Sequence, residues 1–291
     1  MIMRRRFIFI LSLFLHLFSS CTGDVIVPAE PQLVVEGWID DGGFPVVMFS
    51  TTIPVGDEEI KMDDLKQYIV NWGKVTVSDG EKEVVLTGMR SSSYFPPYIY
   101  TTTKIRGEAG KTYRLVAEYD NIIATAQTTI PPRAEIESIE SDYTDGKYTI
   151  MATIKDNPDE HNYYKFFIKV LGRDTSYLSS DFAIFDDSNY SSPIKVPVEI
   201  GNSFFYSAEK KNYELSEEDG FWIKVAQVDS VAYDFWDDYK NMVELGVNPF
   251  FKYSGGIRSN ISGGLGYWIG YGATEYYCAP YNHATPVKIN K

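Results

Sequence analysis

Along most of this chain, apolar and polar residues alternate over short stretches, and that two-residue period predicts strands with one face in a core. Across Thr112–Tyr119, Tyr113, Leu115, Ala117 and Tyr119 fall on one side, with Thr112, Arg114 and Glu118 on the other. In Tyr163–Val170, Tyr164, Phe166, Ile168 and Val170 share a face. Further strands are expected over residues 33–39, 46–50, 75–77, 84–86, 122–130, 136–141, 148–155 and 221–228. Asp40-Asp41-Gly42-Gly43, Asp79-Gly80 and Asp145-Gly146 supply the residue types that tolerate positive φ at hairpin turns. A single stretch has the helical period: Val231, Phe235, Tyr239 and Met242, with Asp229 or Ser230 as cap and an end near Gly246. This helix is expected to lie across the open face or an edge of a sheet in the second half, its plain role being to cover a strand edge. Residues 174–197 are polar and poorly periodic, which predicts a long excursion with short β pieces.

The first residues break the pattern. Arg4, Arg5 and Arg6 precede an apolar run over residues 7–18, and Ser19-Ser20-Cys21 closes it. A run of roughly 12 residues is short of the about 20 that cross a bilayer, so a cleaved lipoprotein signal peptide is expected, with fatty acyl chains such as palmitate on Cys21. An ordinary signal peptide with an incidental cysteine is the alternative, because Phe18 is an imperfect residue three before the thiol. The expected layout is a signal peptide over 1–20, a lipid-anchored tether over 21–31, an N-terminal β-sandwich over 32–131 and a β-rich domain over 132–291. Pro131-Pro132 marks the seam, since neither residue can donate to a ladder. The fold class is mostly β: two β-sandwich domains, immunoglobulin-like or transthyretin-like, with one short helix in the second.

Composition sharpens this picture. With 22 Tyr and 17 Phe, the chain is rich in side chains that suit a pleated surface. Its formal net charge of -13 becomes more acidic once the three leader arginines are removed, which excludes nucleic acid as a natural partner. Surface charge also repels anionic lipid, so attachment to the membrane falls to the lipid on Cys21. Lipidation of Cys21 leaves Cys278 without an intramolecular partner, and a small buried hydrophobe is the expected role for it. Of the 3 His, His16 lies in the leader, so little histidine remains for a zinc site or a catalytic triad.

Several markers then point to one family. Leu33-Val34-Val35-Glu36-Gly37-Trp38-Ile39 follows the lipid site, Thr128-Thr129-Ile130-Pro131 stands at the seam, and Asn248-Pro249-Phe250 precedes Ser259-Asn260-Ile261. Gly263-Gly264-Leu265-Gly266 and Gly270-Tyr271 complete the series. In order and spacing they resemble the Bacteroidetes lipoprotein family catalogued as domain of unknown function 4249, across nearly all of the mature chain. The resemblance implies an envelope lipoprotein with β domains, often encoded near TonB-dependent outer-membrane receptors. It brings no catalytic residues.

Candidate chemistry is sparse. The acidic pairs Asp40-Asp41, Asp63-Asp64, Asp186-Asp187 and Asp237-Asp238 are expected at solvated turns and helix starts, because strand neighbours point to opposite faces and do not form a carboxylate pair across a cleft. Asp156-Asn157-Pro158-Asp159-Glu160 lacks the glycine and distal acid of a calcium loop and reads as a turn. The glycines of 263–266 lack a following Lys-Ser/Thr and are expected to let the backbone bend or pass close beneath Tyr267 and Trp268, where a strand kinks or crosses a neighbouring segment. No cofactor and no metal is called for. Tyr94, Phe95, Tyr98 and Tyr100, stiffened by Pro96-Pro97, form the candidate partner-binding loop, with packing onto the first sandwich as the alternative. Tyr276, Tyr277 and Tyr281 are weaker candidates of the same kind. Asp229-Ser230-Val231 reads either as a helix cap or as a short O-glycosylation signal. The expectation is a non-catalytic outer-membrane lipoprotein, periplasmic or surface-facing, that assists a TonB-dependent transport system. A fimbrial or adhesive subunit and a glycan- or peptide-processing hydrolase are the alternatives.

Overall fold

The computed structural model describes residues 31–53, 64–94, 96–144, 147–198, 215–246, 256–280 and 287–289. The protein is mostly β with one α-helix. In chain order the strands are β1 (Leu33–Asp40), β2 (Val46–Thr51), β3 (Lys74–Ser78), β4 (Glu83–Val85), β5 (Thr87–Arg90), β6 (Tyr98–Thr101), β7 (Thr112–Tyr119) and β8 (Ile122–Thr129). There follow β9 (Glu135–Thr144), β10 (Lys147–Lys155), β11 (Tyr163–Val170), β12 (Leu178–Asp186), β13 (Ile194–Pro197) and β14 (Phe221–Val228). Helix α1 (Ser230–Gly246), β15 (Leu265–Cys278) and β16 (Val287–Ile289) complete the order. Strands with strong period fall where the alternation puts them; Gly42 (φ 75°) and Gly80 (φ 88°) make two of the three expected turns, and Asp145-Gly146 lies outside the described residues.

These strands form three sheets. The largest runs β12-β11-β14-β15-β1-β2-β6-β5, with β16 added to β15; β4-β3-β7-β8 and β13-β10-β9 are the smaller two. Strand β15 organises the whole. Its first half pairs in parallel with β1, from Val34↔Leu265 to Asp40↔Tyr271, and its second half pairs antiparallel with β14, from Gln227↔Gly272 to Phe221↔Cys278. Small residues inside β15 allow this. A Cβ at Gly272 would fall on the carbonyl oxygens of Pro131 and Pro132, and one at Gly266 (φ 105°) on that of Val35. The glycine run thus permits close backbone passage, as its sequence suggests.

Three cores result. Alternation along β1 sends Leu33, Val35 and Ile39 toward Val75, Val77, Tyr113 and Leu115 of the four-stranded sheet, with Trp268 closing that core. Phe166, Ile168, Phe221, Ile223 and Tyr276 pack against Ile139, Ile150, Ile154 and Val196 of the three-stranded sheet. Each fully buried ring of this size contributes roughly 1.5–3 kcal/mol by leaving water. The third core lies on the other side of the large sheet, where Ala232 and Phe235 of α1 meet Phe167, Ala226, Ile269 and Tyr271, with Trp38 and Trp236 at its margin. Strands β11 and β14 are therefore covered on both faces, and their sequences are nearly continuously apolar for that reason.

Three expectations need correction. Helix α1 takes the open-face placement, and its role is wider than covering a strand edge, because it packs on β11 and β15 as well as on the edge strand β12. Residues 174–197 hold a nine-residue edge strand, β12, and then cross to the three-stranded sheet as β13; an edge strand pairs on one side only and needs less regular patterning. The aromatic loop over 91–100 ends in a strand, because β6 begins at Tyr98 and pairs with both β5 and β2.

Candidate functional site

The face of the large sheet beneath α1 carries charge where an ordinary core carries none. In β14, Lys224 takes the inward parity shared with Ala226 and Val228, opposite Phe167 of β11 and Glu275 of β15. Asp40 ends β1 opposite Tyr271. Lys224 Nζ donates to both carboxylate oxygens of Asp40, at 2.8 and 2.7 Å, and the lysine side chain is only 6% exposed. Three rings surround that ammonium, with the centroids of Phe167 and Tyr271 at 5.0 Å and Tyr177 at 5.8 Å. Asp40 comes from the first half of the chain and Lys224 from the second, so this ion pair fastens the two across β15.

A second buried lysine lies alongside. Lys165 is 1% exposed, and its Nζ sits 3.8 Å from the centroid of the Trp236 ring and 5.1 Å from that of Phe167. Burial drives its ammonium well below the ordinary lysine range. Trp236 Nε1 donates to Tyr271 Oη at 3.1 Å, so α1 is keyed to the sheet through the same ring that covers Lys165. Burial raises the phenols of Tyr271 and Tyr177, and the negative charges of Glu275 and Asp40 hold Tyr177 up further. In the middle of β1, burial lifts the half-buried Glu36 to about 7. Among the described residues no hydrogen bond or ion pair reaches its carboxyl.

Sequence-predicted residues divide around this seam. Tyr94 packs against Trp38 with ring centroids 5.7 Å apart, and burial followed by the charge of Asp40 raises its phenol. Tyr100 is buried in the first core, donating to Val70 O at 2.8 Å, and Tyr98 meets it edge to face while donating to Asn71 O. Phe95 and Cys21 lie outside the described residues, as does Tyr281. Tyr276 is interior, accepting from Ile136 N at 2.8 Å, and Tyr277 packs against Trp222 with the two rings tilted. Cys278 is buried in the second core, which pushes its thiol up to about 12. Asp229 caps α1 by accepting from Ala232 N at 2.8 Å, and Ser230 is the first helical residue.

Three of the four acidic pairs depart from the expectation of solvated turns, and Asp63 of the fourth lies outside the described residues. Asp40 turns inward to Lys224 and Asp41 to Arg133; Asp238 takes a two-pronged ion pair from Arg258, at 2.6 and 2.9 Å. Asp187 is buried and accepts from Asn162 N at 2.8 Å, while Asp186 caps the turn after β12. The alternation that denies these pairs a shared cleft also sends one member of a pair inside. His161 Nε2 stands 3.8 Å from each of Asp186 and Asp187, yet no three His, Cys, Asp or Glu side chains among the described residues converge as metal ligands. Asp156-Asn157-Pro158-Asp159-Glu160 is a turn closed by Glu160 N to Asn157 O at 3.0 Å. The sequence marks the seam faintly: Lys165 and Lys224 each interrupt an apolar strand at an inward parity, which is the mark of a buried charge.

Two sandwiches that share one strand, with a helix sealing a charged face between them, define a class of β protein built around its seam. Within that class the chain belongs to the family described as a domain of unknown function, DUF4249, which it matches over residues 23–276. No curated protein matches it.

Proposed function

We propose that this is a non-catalytic lipoprotein of the outer membrane, held by acyl chains on Cys21, whose folded body is an accessory or ligand-handling partner of a TonB-dependent transport system. The leader carries this assignment: a basic start, an apolar run too short to span, and small residues ending in a thiol at Cys21. The transporter link comes from the family resemblance. The state of the reactive groups favours binding over turnover. Asp40 is neutralised by Lys224, and the Cys278 thiol is buried and protonated at neutral pH. Fractionation of cells tests the anchor: the native protein is expected in the membrane and Cys21→Ala in the soluble fraction. Co-purification from detergent-solubilised membranes tests the partner. A chain recovered alone after crosslinking would remove the transporter from the account.

A further inference from the structure

One end of the first sandwich gathers exposed apolar side chains around the point where the chain runs on toward Cys21. Leu33 opens β1 there, opposite Thr51, and Thr52 N donates to Gln32 O at 2.8 Å. Ile53 follows and is 40% exposed. The bridge Ser50↔Ile69 and the bond from Val70 N to Phe49 O bring in the segment carrying Trp72, which is 93% exposed. Lys74, which opens β3, pairs with Glu118, so the end of β7 and the turn to β8 lie at this same end. Tyr119 and Ile123 stand there, 38% and 56% exposed. The close approach of Gly264 to Leu33 O and of Gly263 to Ile123 O sets the start of β15 beside them, with Leu265 41% exposed.

We infer that this end is a membrane-resting face, in which Trp72 seats its ring in the lipid headgroup layer and Ile53, Tyr119, Ile123 and Leu265 rim it. The inference rests on the lipid anchor at Cys21 and adds to it the orientation of the body. Residues 21–31 reach at most about 40 Å when fully extended. A tether that short concentrates lipid around its own end of the body more than around any other. Tryptophan favours the interface because its apolar ring and its N–H find different partners there. The rim residues are separate side chains with polar neighbours such as Asn71, Asp120 and the paired Lys74 and Glu118, which suits a headgroup layer better than a dry protein contact.

Brominated lipids test this directly. The native lipidated protein is reconstituted in phosphatidylethanolamine–phosphatidylcholine vesicles and floated, and its tryptophan emission is compared with and without bromine on the acyl chains. The chain has 5 Trp, and the expected result is a partial loss of emission that disappears in Trp72→Phe and shrinks in Ile123→Glu. Far-UV circular dichroism checks that both variants keep the fold. Flotation with equal quenching in the native protein and Trp72→Phe overturns the orientation while leaving the anchor standing. Failure to float removes the anchor and this face together. Absence of quenching, with a photocrosslinker at position 72 capturing a protein in cells, would give the surface to a protein partner and overturn the inference.

Discussion

Asp40 and Lys224 neutralise each other in a place that water barely reaches, and their interaction sets what single substitutions there will do. Removing one partner of a buried ion pair leaves the other charged and unsolvated, at a cost of about 3–5 kcal/mol, whereas replacing both by apolar groups of similar size is often neutral. Asp40→Ala should therefore lower stability by about 3 kcal/mol in urea unfolding, the low end because Asp40 is 18% exposed at its side chain. Asp40→Leu with Lys224→Met should recover most of that loss, and a double-mutant cycle reads the coupling. Glu36 gives a pH signature of the opposite sense to most carboxylates. Its folded value is raised to about 7 from 4.5, so the folded chain binds more protons than the unfolded chain between those limits. Its contribution is present below about pH 4.5 and is lost as pH rises to about 7, by about 2 kcal/mol once partial solvent access is counted. Glu36→Gln should flatten that part of the stability curve. Neither role was legible in the sequence. Asp40 stands next to Asp41-Gly42-Gly43 and looks like a turn residue, although the ladder with β15 continues through it.

At the level of elements, legibility followed side-chain period. Strands β7, β11 and β14 alternate or run largely apolar, and α1 repeats its large residues every three or four positions, so each is found at its predicted place. Strand β15 hid because its inward positions include Gly266, Gly270 and Gly272, and glycine within an apolar run ordinarily marks a bend. Its period is set by what crosses it: the Ile130–Pro132 segment lies directly on Gly270 and Gly272, and the Val35 backbone on Gly266. Substitution separates this close passage from mere turn preference. Gly272→Ala places a methyl group against two backbone carbonyls that cannot rotate aside, and a loss of about 3 kcal/mol is expected from the strain. Gly80→Ala meets nothing within 4 Å and should lose only about 1 kcal/mol through its positive φ. Thermal unfolding of the two variants beside the native chain measures the difference.

For the molecule as a whole, Pro131 and Pro132 correctly mark a stretch without strand, between β8 and β9, but nothing near them announces that a distant strand will bind the segments on either side. Gly270 N donates to Thr128 Oγ1 at 2.8 Å, and Ala134 N donates to Gly272 O at 3.0 Å. Trp268 lies in the first core, donating from Nε1 to Tyr113 O, while Tyr276 on the same strand lies in the second. Unfolding either sandwich alone would thus tear half of β15 from a packed core and leave β1 or β14 with an unpaired edge. It would also part Lys224 from Asp40 and take Trp38 from the cluster that α1 covers. Shared losses of this kind make partial unfolding costly compared with complete unfolding, so Gln32–Lys291 should melt as one cooperative unit. Urea curves followed by tryptophan emission, reporting Trp268 among others, and by far-UV circular dichroism should coincide at one midpoint. Asp40→Ala should shift both curves together. Two resolved transitions, with that substitution moving only one, would mean that the sandwiches are energetically separate and that β15 joins them without coupling them.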